Sequence, residues 1–497
     1  MMFQDFKSLL LNPKALFLKN IGIKQTVFKN TFWLILAEAI TGFLKFIFII
    51  YVARILGATE YGKFTFALSF VSLFTVLGDL GLSSIIIRDF SQEHKNEKEY
   101  ATTIFVKFCL SVIALILTFI TSFFITQDPI VQKVIWILMA FFFIDGFFAI
   151  IYSFVRAHQK MEYEALIKTI QSVITVLMGF FVIFKIPSVV NLSYAYFFAS
   201  LAVLIAVIVF FRFSFYISKL SFDAHYFKKI LKNAWPLSLG FVGMWIYINL
   251  DSTMIGFLGH SSEVGWYNAA GRIVITVMTV SATLISNSFF PLLSKFFKES
   301  KEAFQRIWNY YMEIMIVLAV PFMLGSVVLG KEIIGFLYGL ENYSPSVFIF
   351  QSLAIVTGIS FLYYPYAIAL IVADKQNQNF WIVCLGAIIN IILNIILIPK
   401  YGFRASAIST IITTIITFLI VALLSRRHTS VSIFNPQILK VFGIVIFSSL
   451  VMIAAINAFL FYSFGIISII TASSLAYFFI FLILYKFVLK SNIFTKI

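Results

Sequence analysis

Apolar residues gather into long runs separated by short polar stretches, and the pattern recurs fourteen times along the chain. The runs cover approximately 31–53, 63–87, 101–125, 131–155, 165–185, 189–211, 233–258, 265–290, 304–329, 346–372, 378–398, 403–424, 438–461 and 465–488. A helix rises about 1.5 Å per residue, so each run is long enough to cross the hydrocarbon layer of a bilayer. Barrel strands would instead leave weak alternating signals of about ten residues. The pattern therefore predicts an all-α, polytopic membrane protein of ~14 transmembrane helices. The first two runs form a hairpin from Lys29 to Phe90, joined by the polar turn Arg54 to Gly62.

The hairpin has a second copy. Lys29-Asn30 recurs as Lys232-Asn233, Glu60 and Gly62 as Glu263 and Gly265, and Ser91, Lys95, Lys98 and Glu99 as Ser294, Lys298, Lys301 and Glu302, all at a spacing of 203 residues. Later, Ala157 is answered by Ala373 at a spacing of 216, which places an insertion in the second copy. Segments 1–6 and 7–12 thus read as two pseudo-symmetric six-helix lobes. An even number of helices separates them, so the repeat is parallel, with its axis along the membrane normal. The expected organisation is a basic amphipathic arm over 1–29, a first lobe over 30–212, a linker over 213–232, a second lobe over 233–425, and two extra helices with a tail over 426–497.

Composition agrees. Of the 497 residues 61% are apolar and 12% charged, against about 25% charged in a soluble domain. The net charge of +16 suggests nucleic acid only until the basic residues are placed, because they sit in short loops between apolar runs. With the N-terminus inside, 27 Lys and Arg fall on the cytoplasmic side, 7 outside and 3 within the runs. That asymmetry sets both termini in the cytoplasm. Cys109 and Cys384 lie inside apolar runs and read as packing residues. No metal cluster or cofactor motif is evident, and the phosphate-cradling Gly-x-x-x-x-Gly-Lys-Ser/Thr loop is absent, so ATP is not expected to be consumed by this chain.

Ions within the runs are expensive and hence candidates for function. Arg272 reads either as a cavity cation for an anionic group, its fork suiting phosphate, or as a structural partner of Asp251. Lys45 reads the same way more weakly, with Glu38 seven residues earlier as an alternative tie. Arg88 stands with Lys107 towards the inner mouth. The carboxylates Glu38, Asp79, Asp145, Asp251 and Glu313 are candidates for binding a coupling H+ or Na+, or for internal ion pairs. Gly78 and Gly81 around Asp79 allow close helix approach, and Asn390 with Asn394 suits hydrogen bonding between helices.

Ala53-Arg-Ile-Leu-Gly57-Ala-Thr-Glu-Tyr-Gly62, then Gly78-Asp-Leu-Gly81 and Arg88-Asp-Phe-Ser91, resemble the polysaccharide flippase family, the O-antigen branch of the multidrug/oligosaccharidyl-lipid/polysaccharide exporters. Ala373-Asp-Lys-Gln-Asn, Asn390, Asn394, Pro399-Lys-Tyr-Gly402 and Ala405-Ser-Ala407 carry the same resemblance. It implies a non-enzymatic flippase in the cell membrane. The substrate would be an isoprenoid-(pyro)phosphate-linked oligosaccharide, its headgroup in a basic central cavity that Arg272, Lys45 and Arg88 would serve. Membrane lipids, and other glycan-assembly proteins, are the partners implied. Two readings remain open beside it: a cation-coupled multidrug exporter of the same superfamily, and a membrane-embedded glycan polymerase or ligase.

Overall fold

The computed structural model describes residues 17–91, 97–210, 222–279, 284–431 and 435–489. Helices account for nearly all of them, with no strand among the described residues. In chain order they are α1 (Ile23–Thr75), α2 (Leu82–Phe90), α3 (Glu97–Ile125), α4 (Pro129–Ala157), α5 (Met161–Lys185), α6 (Val189–Phe210), α7 (Ala224–Leu258), α8 (Ser261–Met278) and α9 (Leu284–Glu299). Then come α10 (Lys301–Val328), the short α11 (Gly330–Tyr338) and α12 (Leu340–Tyr343), α13 (Ser346–Val372), α14 (Gln376–Tyr401), α15 (Phe403–Thr429), α16 (Pro436–Phe461) and α17 (Ile466–Leu489). Eleven of the described helices are long and apolar enough to cross a membrane. The fourteen predicted segments therefore do not map one to one. The first two share α1, and α7, α8 and α9 fall outside that measure.

The boundaries follow local chemistry. The α1 helix carries the first run and most of the second, meeting at Gly57, whose φ of 76° is open to glycine but strained for other residues. Asp128 caps α4 by accepting from the backbone N–H groups of Ile130 and Val131, with Pro129 in the first turn, where proline costs no hydrogen bond. Asn435 and Pro436 repeat that device at α16. Asp223 opens α7 in the same way, and the backbone N–H of Tyr226 holds its carboxyl below the usual carboxylate range.

The chain divides into two compact units, Met1–Thr253 and Met254–Ile497. The boundary lies within α7, and the 213–232 linker falls partly outside the described residues. In the first unit, Tyr226 and Ile230 of α7 pack with Leu82, Ile86, Val106 and Phe154. A second cluster joins α4, α5 and α6 through Phe148, Ile167 and Val203. The second unit has one large core around Trp308, Tyr311, Met315, Tyr366 and Tyr477. Of the predicted arm, only 17–29 is described: Phe17 packs on Phe28 and Phe32, and Asn20 donates to the carbonyl of Gln159.

The predicted second segment, 63–87, is not one helix. It ends at Thr75, turns through 76–81 and resumes at Leu82. In the second unit α8 runs to Met278 and α9 opens at Leu284, and residues 280–283 between them lie outside the described ones.

Candidate functional site

The break in the first unit shapes a cavity. Leu80 and Gly81 both have positive φ, 41° and 76°, and for leucine that conformation costs about 1–2 kcal/mol. Irregular backbone at membrane depth is tolerated where it lines a cavity rather than lipid. Here Val76, Gly78 and Asp79 line a space of about 530 Å³ between the end of α1, α3 and α4. Lys107 of α3 and Asp145 of α4 face the same space.

Its charges are partly tied together. The Lys107 ammonium, almost wholly buried, lies 3.6 Å from Asp79 Oδ1. The Ser83 hydroxyl donates to that same oxygen at 2.8 Å. Asp145 Oδ1 accepts from the Gln171 amide at 3.1 Å, and Gln171 also donates to Ser200 at 2.9 Å. Three helices, α4, α5 and α6, are thereby joined at Gln171. Lys45, Lys107 and Lys168 all act electrostatically on Asp145. Lys107 lies against Gly146, where even a methyl group would sit 3.3 Å from its Cε.

Nearer the start of α1, a second ionic group fastens α1 to α4 and α5. Lys29 is fully buried; its ammonium lies 2.8 Å from Glu162 and donates to the Gln159 carbonyl. Arg156 grips the buried Glu164 with two bonds of 2.7 and 2.6 Å. Lys168 bridges Glu164 at 3.0 Å and Glu38 at 2.8 Å. The sequence offers Lys45 as a tie for Glu38, but seven residues along a helix is about 10.5 Å of rise. Lys168 reaches Glu38 sideways from α5 instead. Lys45 itself is exposed on α1. Arg88 pairs with its neighbour Asp89 at 2.9 Å, and Lys229 lies 3.7 Å from the same carboxylate. Asp251 is half-buried near the end of α7.

In the second unit, Arg272 is exposed on α8, and its guanidinium makes no hydrogen bond or ion pair with any described residue. Next to it, α8 is held from the other side. Tyr338 donates to the Ala269 carbonyl, Trp266 to the Asn342 carbonyl, and Ser346 to the Trp266 carbonyl. Glu313 is fully buried in α10. Its carboxylate accepts from the Gln437 amide of α16 and, at 3.0 Å, from the Tyr485 hydroxyl of α17. Tyr477 donates to the Val317 carbonyl at 2.8 Å, so α10 anchors both final helices. Asn394 donates to Asn390, and Asn390 to Thr410 of α15, which realises the interhelical bonding expected of that pair.

The sequence named most of these ions but not their partners. Gln171, Ser200, Glu164, Gln437 and Tyr485 escaped it. Gln171, Ser200 and Tyr485 are polar groups in apolar runs, and Glu164 and Gln437 each sit one residue before a run; that was the signal available, but the partners lie 8 to 172 residues away along the chain.

Fold and site together define a multi-pass, all-helical membrane protein with charge buried inside its helical units. The protein-family model described as "Polysaccharide biosynthesis protein" matches residues 27–297, and the chain belongs to that family. It is 32% identical over 170 residues to the probable flippase AglR of Haloferax volcanii, spanning 34% of this chain and 35% of that protein. It is 25% identical to the putative O-antigen transporter of Shigella dysenteriae, over 79% of this chain and 98% of that one. Its fold is shared with the lipid II flippase MurJ in an inward closed conformation, at a TM-score of 0.76 and 18% identity, covering 93% of this chain and 98% of that structure.

Proposed function

We propose that this protein is a flippase that carries a lipid-(pyro)phosphate-linked oligosaccharide from the inner to the outer leaflet of the cell membrane. It works by alternating access and makes or breaks no covalent bond. Family membership and the named relatives support the class of cargo. The observation that carries the chemistry is Arg272, a guanidinium in the eighth apolar run (265–290) with no ion pair among the described residues. An unpaired cation at such a position is costly unless an anion or water accompanies it, and its planar fork matches phosphate oxygens. Lys45 and Arg88 are the further cations assigned to the phosphate path. Both termini are assigned to the cytoplasm on the strength of the basic loops. The driving force is assigned to a proton or sodium gradient, with the coupling carboxylate among Glu38, Asp79, Asp145 and Asp251. Glu313 is assigned instead to holding α16 and α17.

Arg272→Ala is expected to lower surface glycan by about tenfold or more, the loss of a bidentate charged contact, with the protein still reaching the membrane. Arg272→Lys should recover part of it. Surface glycan at the wild-type level in Arg272→Ala would remove this residue from the mechanism. In a deletion strain, lipid-linked glycan should accumulate on the cytoplasmic face. Units already translocated but unpolymerised would point to a polymerase instead.

A further inference from the structure

The cavity at the break in the first unit carries a chemistry of its own. Asp79 and Asp145 each commit one oxygen, Oδ1, to protein donors. The other oxygen of each makes no hydrogen bond with any described residue. The Lys107 ammonium lies 3.6 Å from Asp79 and acts electrostatically on Asp145 as well, and the Ser111 hydroxyl also faces the space. Around these polar groups the wall carries the rings of Phe74, Phe142 and Phe143 among aliphatic side chains such as Val71, Leu115 and Met139.

Three ligand classes can be weighed against that wall. A metal ion or organic cation would have to lie beside the buried Lys107 ammonium, and like charges at that range repel strongly in a low dielectric. A phosphate would have to lie beside two carboxylates, which repel it as strongly. A neutral polyhydroxylated ring meets neither penalty. Its hydroxyls donate to the free carboxylate oxygens and accept from the ammonium, and charged partners make such bonds stronger than neutral ones. Its C–H face lies on a phenyl ring, whose face is electron-rich.

We infer that this cavity is a carbohydrate subsite, which takes one sugar ring of the lipid-linked oligosaccharide. The inference rests on the flippase reading above for the source of that sugar. It removes Asp79 and Asp145 from the residues available for ion coupling and leaves Glu38 and Asp251. It also gives the strained turn a role, since Leu80 and Gly81 are what bring Asp79 round to face Lys107.

The test is ligand binding by the purified full chain in lipid nanodiscs, which needs no transport. Saturation-transfer NMR is recorded with methyl glycosides of glucose, galactose, mannose and N-acetylglucosamine, and sodium is tested separately by the width of its own resonance. The wild type should transfer saturation to the ring C–H protons of at least one glycoside. Asp145→Asn should weaken that binding by about tenfold, the loss of one charged hydrogen bond. Phe143→Leu, which keeps an apolar side chain but removes the ring and its edge contacts with Phe108 and Phe147, should reduce the C–H transfer while the protein stays folded with a slightly lower melting temperature. Arg272→Ala should leave glycoside binding intact, which separates this inference from the phosphate role of that residue. Three results would overturn the subsite: no glycoside giving transfer, transfer undiminished in both cavity variants, or sodium binding that Asp145→Asn abolishes. Glycoside binding by a chain whose deletion leaves surface glycan untouched would sustain the subsite and sink the flippase reading.

Discussion

The two units start from one repeated plan and handle buried polarity in opposite ways. The first joins its ions into networks across helices: Lys29 with Glu162, Arg156 with Glu164, Lys168 with Glu38, and Lys107 with Asp79. The second buries Glu313 against the Gln437 amide and the Tyr485 hydroxyl, and lines the α14–α15 contact with Asn390, Asn394, Thr410 and further threonines. The difference separates scaffold from chemistry. An amide or hydroxyl network is satisfied once it is formed and favours one arrangement. Paired charges around an open cavity can exchange a protein partner for a ligand at comparable electrostatic cost. The core of the second unit is therefore the firmer frame, and the recognition proposed above falls on the cavity of the first unit and on Arg272, exposed on α8 of the second.

The largest expected effect tests the frame. Glu313→Ala leaves the Gln437 and Tyr485 donors unmade in a dry core and should cost about 3 kcal/mol, seen as a lower melting temperature of the purified protein. Glu313→Gln, which keeps an acceptor, should fold and export glycan at near wild-type rates. Loss of export in a well-folded Glu313→Gln protein would restore that residue to the coupling set and blur the contrast between the units. Next is packing in the second unit. Gly386 lets α14 approach α15 so closely that a Cβ would meet Thr417 Cγ2 at 2.7 Å. Gly386→Ala should destabilise by about 1–3 kcal/mol through overpacking, and Thr417→Ser, which lacks that methyl, should recover most of it in the double variant. Additive losses would show that the two positions do not share one contact. The smallest effect concerns the break in the first unit. Leu80→Gly relieves a left-handed leucine, a gain of about 1 kcal/mol partly offset by the greater freedom of glycine in the unfolded chain. The net change in melting temperature should be slight. A clear fall would mean that the Leu80 side chain packs in a way that outweighs its backbone strain.

Much of the architecture was legible because hydropathy and punctuation act locally. The ends of α4, α13, α14, α15, α16 and α17 fall close to the predicted limits, marked by Asp128-Pro129, Gly402 and Asn435-Pro436. The break at 76–81 was not legible, since Val76, Leu77, Leu80 and Leu82 keep the run apolar straight through it. Gly78 and Gly81 were visible but suit helix packing equally well. The site was legible as a set of ions and illegible as a set of pairs. A carboxylate in an apolar run announces only that something must satisfy it, and whether that is a cation, an amide or a hydroxyl depends on which helices meet. Lys168 settled the matter for Glu38, and Gln437 with Tyr485 settled it for Glu313.

The unlike ions of the two copies bear on ancestry. In a chain made by copying one segment, a trait present in both copies is most simply inherited from the original, and a trait in only one was gained or lost afterwards. The Lys-Asn pairs at 29–30 and 232–233 belong to the first kind, as do Glu60 and Gly62 with Glu263 and Gly265. Lys45 and Arg272 belong to the second, because they are answered by Ile248 and Ser69. The ancestral six-helix piece therefore had its loop punctuation before either descendant had its present charges, and selection for a new cargo would have changed side chains on an old frame.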